Sequence, residues 1–273
     1  MLLTRKVANV FLVINSFNYL FGLYKRMNVI RFDKIYLNMP DLNDEINHMF
    51  ESMLDINTLD IISFINPEIF LAQQKDNILE DYFLNCKYNF IDGIGILKAI
   101  NIKMKSRYSY KNRFAGTDFF SYLPANREIS LFLYGSSLKN LIKAKNIIES
   151  TYKNIHINDC LDGYSNYDDK YIVEKMNNSK SDIIIVCLGC PKQEYWIRKN
   201  HKDINSKLIF GNGGSVDFWS GNVKRAPVLI RKVGLEWAFR LVNNFSVVRL
   251  RRQLKLIKFF IKYNKKKYDI EYV

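Results

Sequence analysis

Residues 129–152 read ISLFLYGSSLKNLIKAKNIIESTY, which is a strand-like run, a turn of small residues and a helical pattern in succession. Ile129 to Tyr134 is mostly apolar and aromatic, as expected of a buried strand. After Gly135-Ser136-Ser137, apolar residues recur at helical spacing as far as Tyr152. A strand that passes through a short turn into a helix is the repeating unit of a sheet with parallel strands and crossover helices.

The same pattern occurs at four other places in the chain. The further predicted strands are Asp60 to Phe64, Tyr88 to Ile91, Asp182 to Leu188 and Lys207 to Phe210. Longer helical stretches separate them, so we predict an α/β fold with a Rossmann-like open sheet and flanking helices. The ligand crevice of such a sheet lies at the carboxyl ends of its strands.

Polar or glycine-rich turns follow all five predicted strands. Besides the turn at 135–137 they are Asn66, DGIG at 92–95, GCPK at 189–192 and GNGG at 211–214. A small-residue turn before a helix presents free backbone N–H groups and a positive dipole end, which suit a phosphate. Small residues also allow a helix to pack closely on a strand, so each turn alone leaves both explanations open. The turns at 135 and 211, with Asp217 able to bind ribose hydroxyls, together favour a nucleotide ligand.

Three polar residues near these turns each have an ordinary structural explanation. Asp92 can be a turn aspartate, because aspartate is common in turns. Arg113 can be a surface arginine before a helix cap. Gln193 can belong to the first helical turn after a proline.

Five segments taken in order and spacing resemble the WecG/TagA/CpsF glycosyltransferases. They are DGIG at 92–95, RFAGTD at 113–118, GSS at 135–137, GCPKQE at 189–194 and GNGGSVDFWSGNVKRAP at 211–227. The likeness continues through GLEW at 234–237 and covers roughly residues 28–255. Each motif alone is weak, whereas five in sequence are specific.

This resemblance implies an inverting transferase that moves N-acetylmannosamine, its uronic acid or a related sugar from UDP to an undecaprenyl-diphosphate-linked acceptor sugar. The products would enter teichoic acid, common antigen, capsule or exopolysaccharide synthesis. Asp92 matches the general base, and Arg113 and Gln193 match polar active-site residues. Together with the turns, the resemblance assigns donor nucleotide binding to Asn66, Gly135, Ser136, Gly189, Gly211, Gly213, Gly214 and Asp217.

The chain departs from the family pattern at one position. The family often has Thr two residues before Asn66, and Phe64 stands there instead. The hydroxyl is therefore absent or supplied by Ser63, and the difference points to another donor sugar. No Asp-x-Asp triplet occurs in the sequence. We therefore expect no metal cofactor, with Arg113 and backbone N–H groups stabilising the leaving diphosphate.

A strongly basic tail ends the chain. The formal net charge is +14, and residues 224–273 hold 14 Lys or Arg against three acidic residues. Leu250, Leu254, Ile257 and Ile261 form one helical stripe beside a basic one, which predicts an amphipathic helix on an anionic membrane. A solvated helix on the core, or nucleic-acid binding, are the alternatives. Phe259, Phe260 and Ile261 favour acyl chains over nucleic acid. The residues expected to meet the membrane or the acceptor diphosphate are Arg240, Arg249, Arg251, Arg252, Lys255 and Lys258.

These features divide the chain into three parts: an apolar extension at 1–27, a transferase core at 28–225 and a basic appendage at 226–273. Val7 to Leu23 is too short and too interrupted by polar residues for a membrane span, so we expect an extra helix on the core or on lipid.

Four cysteines without a disulfide pattern indicate a reducing cytoplasm. We predict a peripheral enzyme on the inner face of the cytoplasmic membrane, as a monomer or a homo-oligomer. A non-catalytic nucleotide-binding regulator is the alternative from another class.

Overall fold

The structure is a computed structural model that describes residues 27–41, 43–243, 250, 254, 257, 259–261 and 269–273. The predicted apolar segment Val7 to Leu23 lies outside them. All five predicted strands are confirmed. They are β3 (Asp60–Ile65), β4 (Tyr88–Ile91), β5 (Ile129–Gly135), β7 (Ile183–Cys187) and β8 (Leu208–Gly211).

Four more strands complete one sheet, and the sequence reasoning missed them. They are β1 (Asn28–Phe32), β2 (Ile35–Met39), β6 (Ile155–Leu161) and β9 (Ile270–Tyr272). The strand order is β6-β5-β7-β8-β3-β4-β2-β1-β9. The strands from β6 to β2 pair in parallel, and β1 pairs antiparallel with both β2 and β9. The expected α/β open sheet with flanking helices is confirmed.

Helices join the parallel strands and cover the sheet. They are α1 (Asn43–Asp55), α2 (Pro67–Gln73), α3 (Asn77–Asn85), α4 (Ile94–Met104), α5 (Leu138–Thr151), α6 (Asp169–Asn178), α7 (Lys192–Asn200), α8 (Val216–Trp219), α9 (Val228–Lys232) and α10 (Glu236–Asn243). Short 3-10 turns occur at Tyr110–Asn112, Gly116–Tyr122, His201–Asp203 and Gly213–Ser215. Among the described helices, none combines the length and the apolar composition that crossing a bilayer requires.

Two apolar cores lie on opposite faces of the sheet, because successive strand residues point to opposite sides. In β7, Ile183 and Ile185 belong to one core and Ile184 and Val186 to the other. Each fully buried side chain of this kind contributes roughly 1.5–3 kcal/mol relative to exposure. This packing on both faces makes the carboxyl ends of the strands a rigid platform.

The described residues of the basic tail show both an exposed stripe and an anchor. Leu250, Leu254, Ile257 and Ile261 have helical backbone and are 38–57% exposed. Phe259 is fully buried, and its ring meets that of Phe70 edge-on at 5.8 Å. The sequence interpretation that Phe259 meets acyl chains is therefore wrong, because this ring belongs to the core beside α2.

Candidate active site at the carboxyl ends of the strands

Two hydrogen bonds hold the backbone of Asp92 in place, and a third holds the neighbouring segment of Arg113. The N–H of Asp92 donates to the carbonyl of Ile65 at 3.0 Å, which fixes it beside the end of β3. Its carbonyl accepts from Nη1 of Arg113 at 2.7 Å. The N–H of Phe114 donates to the carbonyl of Ile91 at 3.1 Å and so holds Arg113 next to β4. Asp92, which is half-buried, therefore lies on a rigid turn.

Asn66 lies next to this turn and caps α2. Its Oδ1 accepts from the N–H groups of Glu68 and Ile69 at 2.9 and 3.2 Å. A Cβ on Gly93 would lie 3.3 Å from the Cβ of Asn66, so the two turns touch. Because the cap uses Oδ1, the amide Nδ2 of Asn66 is the atom able to donate to a ligand.

Gln193 joins the two glycine turns that follow β7 and β8. Its side chain is buried, and Oε1 accepts from the N–H of Gly189 at 3.1 Å and from the N–H of Gly213 at 2.9 Å. A Cβ on Gly211 would lie 2.6 Å from Nε2 of Gln193, and one on Gly213 would lie 2.5 Å from the nitrogen of Gly189. The glycines at 211 and 213 are therefore required by this close approach.

A carboxylate binds the start of α5, directly after the turn at 135–137 for which a phosphate was one of two explanations. Gly135 has a φ of +107°, and Ser136 is also left-handed. The N–H of Leu138, at the start of α5, donates to Asp162 at 2.9 Å. Burial opposes the charge of Asp162, but its backbone N–H donors outweigh burial and lower its pKa. The N–H of Leu138 is therefore already used within the protein. The predicted nucleotide contacts of Gly135 and Ser136 stay predictions.

The turn after β8 is tied to the rest of the site by Asn212, which the sequence reasoning did not single out. Its Nδ2 donates to the carbonyl of Gly116 at 2.8 Å, and its Oδ1 accepts from Ser215 at 2.6 Å. Gly214 is exposed, and a Cβ there would meet nothing within 4 Å. Asp217 is half-buried in α8. This turn therefore leaves room for a ligand.

A cluster of arginines and carboxylates lies around Arg113. Arg225 donates to both carboxylate oxygens of Asp118. Glu236 lies 3.7 Å from Nη2 of Arg113 and 3.8 Å from Nε of Arg225. Arg231 donates to the hydroxyl of Tyr110 at 3.1 Å. Burial and the nearby Arg231 lower the pKa of Arg225. The sequence placed Arg225 and Glu236 inside motifs, but only the fold shows that they meet.

Arg113 also lines a cavity of about 440 Å³. Its guanidinium stacks on the ring of Tyr110 at 4.3 Å, and its side chain is only 9% exposed. The lining residues are Asp41, Asp44, Tyr110, Lys111, Arg113, Ala115, Asp118 and Tyr122. A volume of this size is in the usual range for small-molecule sites.

Comparison with known proteins decides the family. Residues 27–271 match the profile of the glycosyl transferase WecG/TagA/CpsF family. The chain belongs to this family. It is 34% identical over 216 residues to the N-acetylglucosaminyldiphosphoundecaprenol N-acetyl-beta-D-mannosaminyltransferase of Bacillus subtilis (strain 168), across 76% of this chain and 82% of that protein. The protein of the same name from Bacillus spizizenii is 30% identical over 222 residues, across 80% and 84% of the two chains.

As a member of the WecG/TagA/CpsF family, the protein is a sugar glycosyltransferase, and the resemblance drawn from the five motifs is confirmed. The alternative of a non-catalytic regulator is thereby set aside. The structure brings Asp92, Arg113 and Asn66 together at the ends of β3 and β4, and Gln193 with the glycines at the ends of β7 and β8.

The position where this family often has Thr holds an aromatic ring. The ring of Phe64 packs edge-on against Phe114 at 5.2 Å and Phe210 at 5.5 Å. Ser63 points to the other face of β3, where its buried Oγ donates to Asn89 at 2.6 Å. Of the two alternatives for the Thr hydroxyl, supply by Ser63 is therefore excluded, and the hydroxyl is absent from this position.

Several predicted residues of the basic tail fall outside what the structure describes. The backbone of Arg240 lies in α10, but its side chain is outside the described part. Arg249, Arg251, Arg252, Lys255 and Lys258 are wholly outside it. Within the described ranges, no three His, Cys, Asp or Glu side chains are arranged to hold a metal ion.

Proposed function

We propose that this glycosyltransferase moves an N-acetylmannosamine-type sugar from UDP to an acceptor sugar linked to a polyprenyl diphosphate, with inversion. The names of the two Bacillus relatives specify an N-acetylmannosaminyl group and an undecaprenyl-diphosphate-linked N-acetylglucosamine. The observation that carries the proposal is the Asp92 carboxyl on a turn that Arg113 holds at the sheet's carboxyl edge.

Asp92 acts as the general base in this proposal. Inversion in one displacement requires a base within about 3 Å of the attacking hydroxyl. The acceptor hydroxyl gives its proton to the Asp92 carboxylate while its oxygen bonds to the anomeric carbon. The bond from that carbon to the diphosphate oxygen breaks, and UDP leaves with the electron pair. A fixed turn suits this role because the carboxylate needs no reorganisation.

The donor nucleotide lies along the turns at Asn66, Gly189, Gly211, Gly213, Gly214 and Asp217, with Gly135 and Ser136 beside them. Charge develops on the leaving diphosphate, and preorganised cations stabilise such charge. The Arg113 side chain is 9% exposed beside the Asp92 turn, so it supplies positive charge where low exposure strengthens it. We therefore propose that the reaction needs no metal ion.

The membrane surface is the proposed location of the acceptor. The stripe Leu250, Leu254, Ile257 and Ile261 is exposed, in a region where residues 224–273 carry an excess of 11 positive charges. Each Lys or Arg near an anionic surface contributes about 1 kcal/mol of binding. We propose peripheral attachment to the inner face of the cytoplasmic membrane, with Arg240, Arg249, Arg251 and Arg252 near the acceptor diphosphate.

The test is UDP release from a panel of UDP-sugars, with a short-chain prenyl-diphosphate-linked N-acetylglucosamine as acceptor. We expect UDP-N-acetylmannosamine or a related UDP-sugar to be preferred. Asp92→Asn should lose about 10²- to 10⁴-fold in kcat while binding UDP normally. Asp203→Asn, which removes an exposed carboxylate before β8 and away from this site, is the control for the loss of charge and should leave kcat unchanged. Full turnover by Asp92→Asn would exclude Asp92 as the base, and activity abolished by EDTA and restored by Mg²⁺ or Mn²⁺ would exclude metal independence.

A further inference from the structure

Glu194 is a buried carboxyl that the mechanism above does not use. It lies in the first turn of α7 with 6% of its surface exposed. Its Oε1 accepts from Nε2 of Gln193 at 2.9 Å, and no described residue donates to its Oε2. Burying an unpaired carboxylate oxygen costs stability, and an apolar residue would fill the same volume without that cost. Packing alone therefore gives no reason for an acid at this position.

The hydrogen bond from Gln193 gives such a reason. A glutamine amide has an acceptor end and a donor end, and only the acceptor end can receive two N–H groups. Gln193 receives the N–H groups of Gly189 and Gly213 on Oε1, so Nε2 points to Glu194. An amide flip would place Nε2 against two other donors. The acceptor on Glu194 therefore favours the one orientation that holds both glycine turns together.

We propose that Glu194 is a positioning residue for the sugar-nucleotide donor, acting through Gln193. Its carboxyl orients the Gln193 amide, and the amide clamps the turns at Gly189 and Gly213 in the spacing that receives the donor diphosphate. Glu194 itself touches no substrate. This inference rests on the proposed function, because that proposal places the donor at these turns.

The surroundings of Glu194 make its charge sensitive to pH near neutrality. Burial raises its pKa to about 7, and the charge of Glu68 on α2 acts in the same direction. Burial raises the pKa of Tyr82 on α3 and of the adjacent Cys86, so both side chains stay neutral near pH 7. Tyr195 on α7 is neutral too, because its hydrogen bond to Asp76 raises its pKa. The carboxyl therefore ionises as the pH rises through about 7, and the ionised form is the stronger acceptor.

Stability and donor binding should change in opposite directions with this charge. The pKa of Glu194 is above its usual 4.5, so the folded state holds the proton more tightly than the unfolded chain does. Folding therefore loses stability as the pH rises from about 4.5 to about 7, and the penalty persists above that. A variant without the carboxyl escapes the penalty at pH 8 but loses the acceptor for Gln193. A residue with only a packing role would not separate the two effects.

The experiment compares wild type, Glu194→Gln and Glu194→Met for the KM of the UDP-sugar between pH 6 and pH 9, with Tm measured in parallel. In the wild type, we expect the donor KM to fall as the pH rises through about 7. Glu194→Gln keeps a neutral acceptor, so its KM stays flat over this range. Glu194→Met removes the acceptor and raises KM about tenfold at pH 8, the loss of one hydrogen bond, with a smaller change in kcat. Its Tm at pH 8 equals or exceeds that of the wild type.

Glu68→Gln is the matched control, because it removes the neighbouring charge and leaves Glu194 in place. Its KM inflection should persist and move to lower pH. A wild-type donor KM in Glu194→Met, or a wild-type pH profile in Glu194→Gln, would overturn the inference alone. Calorimetry with UDP distinguishes failure of the inference on Glu194 from failure of the proposed function. A wild-type protein that neither releases nor binds UDP would overturn both.

Discussion

Arg113 donates from Nη1 to the main-chain carbonyl of Asp92 at 2.7 Å. The Arg113 guanidinium thus holds the backbone that carries the Asp92 carboxyl. The guanidinium also stacks on the ring of Tyr110 at 4.3 Å, and its Nη2 forms an ion pair with Glu236 at 3.7 Å. Arg113 therefore both shapes the Asp92 turn and brings positive charge to it.

Replacing Arg113 by Lys should separate geometry from charge. A lysine keeps the positive charge but cannot bond the Asp92 carbonyl, stack on Tyr110 and face Glu236 at once. We expect kcat to fall about 10- to 100-fold, in line with the loss of one strong hydrogen bond at the reacting centre. UDP-release kinetics measure this. Arg127→Lys, at an arginine that pairs with Asp55, is the control and should leave kcat unchanged. Wild-type kcat in Arg113→Lys would show that charge alone suffices.

Arg225 should anchor the segment before α9 to the Gly116–Tyr122 turn, because it bonds both oxygens of Asp118. Arg225→Met leaves Asp118 partly buried and without this partner. Removing one partner of a fully buried ion pair lowers the free energy of unfolding by about 3–5 kcal/mol. Both side chains here are about a quarter exposed, so we expect a decrease of about 1–3 kcal/mol. Urea unfolding measures it. The double variant Arg225→Met with Asp118→Leu should recover part of the loss, and strict additivity of the two single changes would contradict the pairing.

Phe64 should influence which UDP-sugar is used. Its ring occupies the position where the family often has Thr, and Ser63 faces the other side of the sheet. Phe64→Thr introduces a hydroxyl at the edge of the site, which should change the ratio of kcat/KM between two UDP-sugars about 10- to 100-fold. Phe64→Leu is the matched control, because it removes the ring without adding a hydroxyl. Equal donor ratios in the Thr and Leu variants would show that the hydroxyl has no part in selection.

The central strands were predictable, and the edges of the sheet were not. Strands β3, β4, β5, β7 and β8 are buried apolar runs that end in turns, so each carries its own local signal. The edge strand β6 reads IHINDCL, in which polar residues interrupt the apolar ones. The strand β9 has three residues and pairs with β1, more than 200 positions away along the chain. Local sequence carries no information on such a distant pairing.

For the site, the sequence predicted which residues matter but not which partners they contact. Motif order identified Asp92, Arg113 and Gln193, but side-chain partners depend on the fold. The sequence could not show that Gln193 receives two glycine N–H groups or that Asp162 bonds the start of α5. It also placed Glu236 in a motif without its neighbours Arg113 and Arg225. The contacts of Gln193 with Gly213, of Asp162 with Leu138 and of Glu236 with Arg113 join residues 20 or more positions apart, so only the folded chain reveals them.

The exposed stripe of the tail should bind anionic membranes. Leu254 and Ile257 are 53% and 57% exposed, so changing both to Gln should leave the fold intact. Each side chain immersed in lipid contributes roughly 1–2 kcal/mol, so the double variant should bind anionic vesicles at least tenfold more weakly in cosedimentation. Ile102→Gln, at a 66% exposed residue of α4, is the control and should bind like the wild type. Raising the salt concentration should weaken binding of all variants, because screening reduces the attraction of the basic residues. Stronger binding of the wild type to duplex DNA than to these vesicles at equal salt would replace the membrane by a nucleic acid as the partner of the tail.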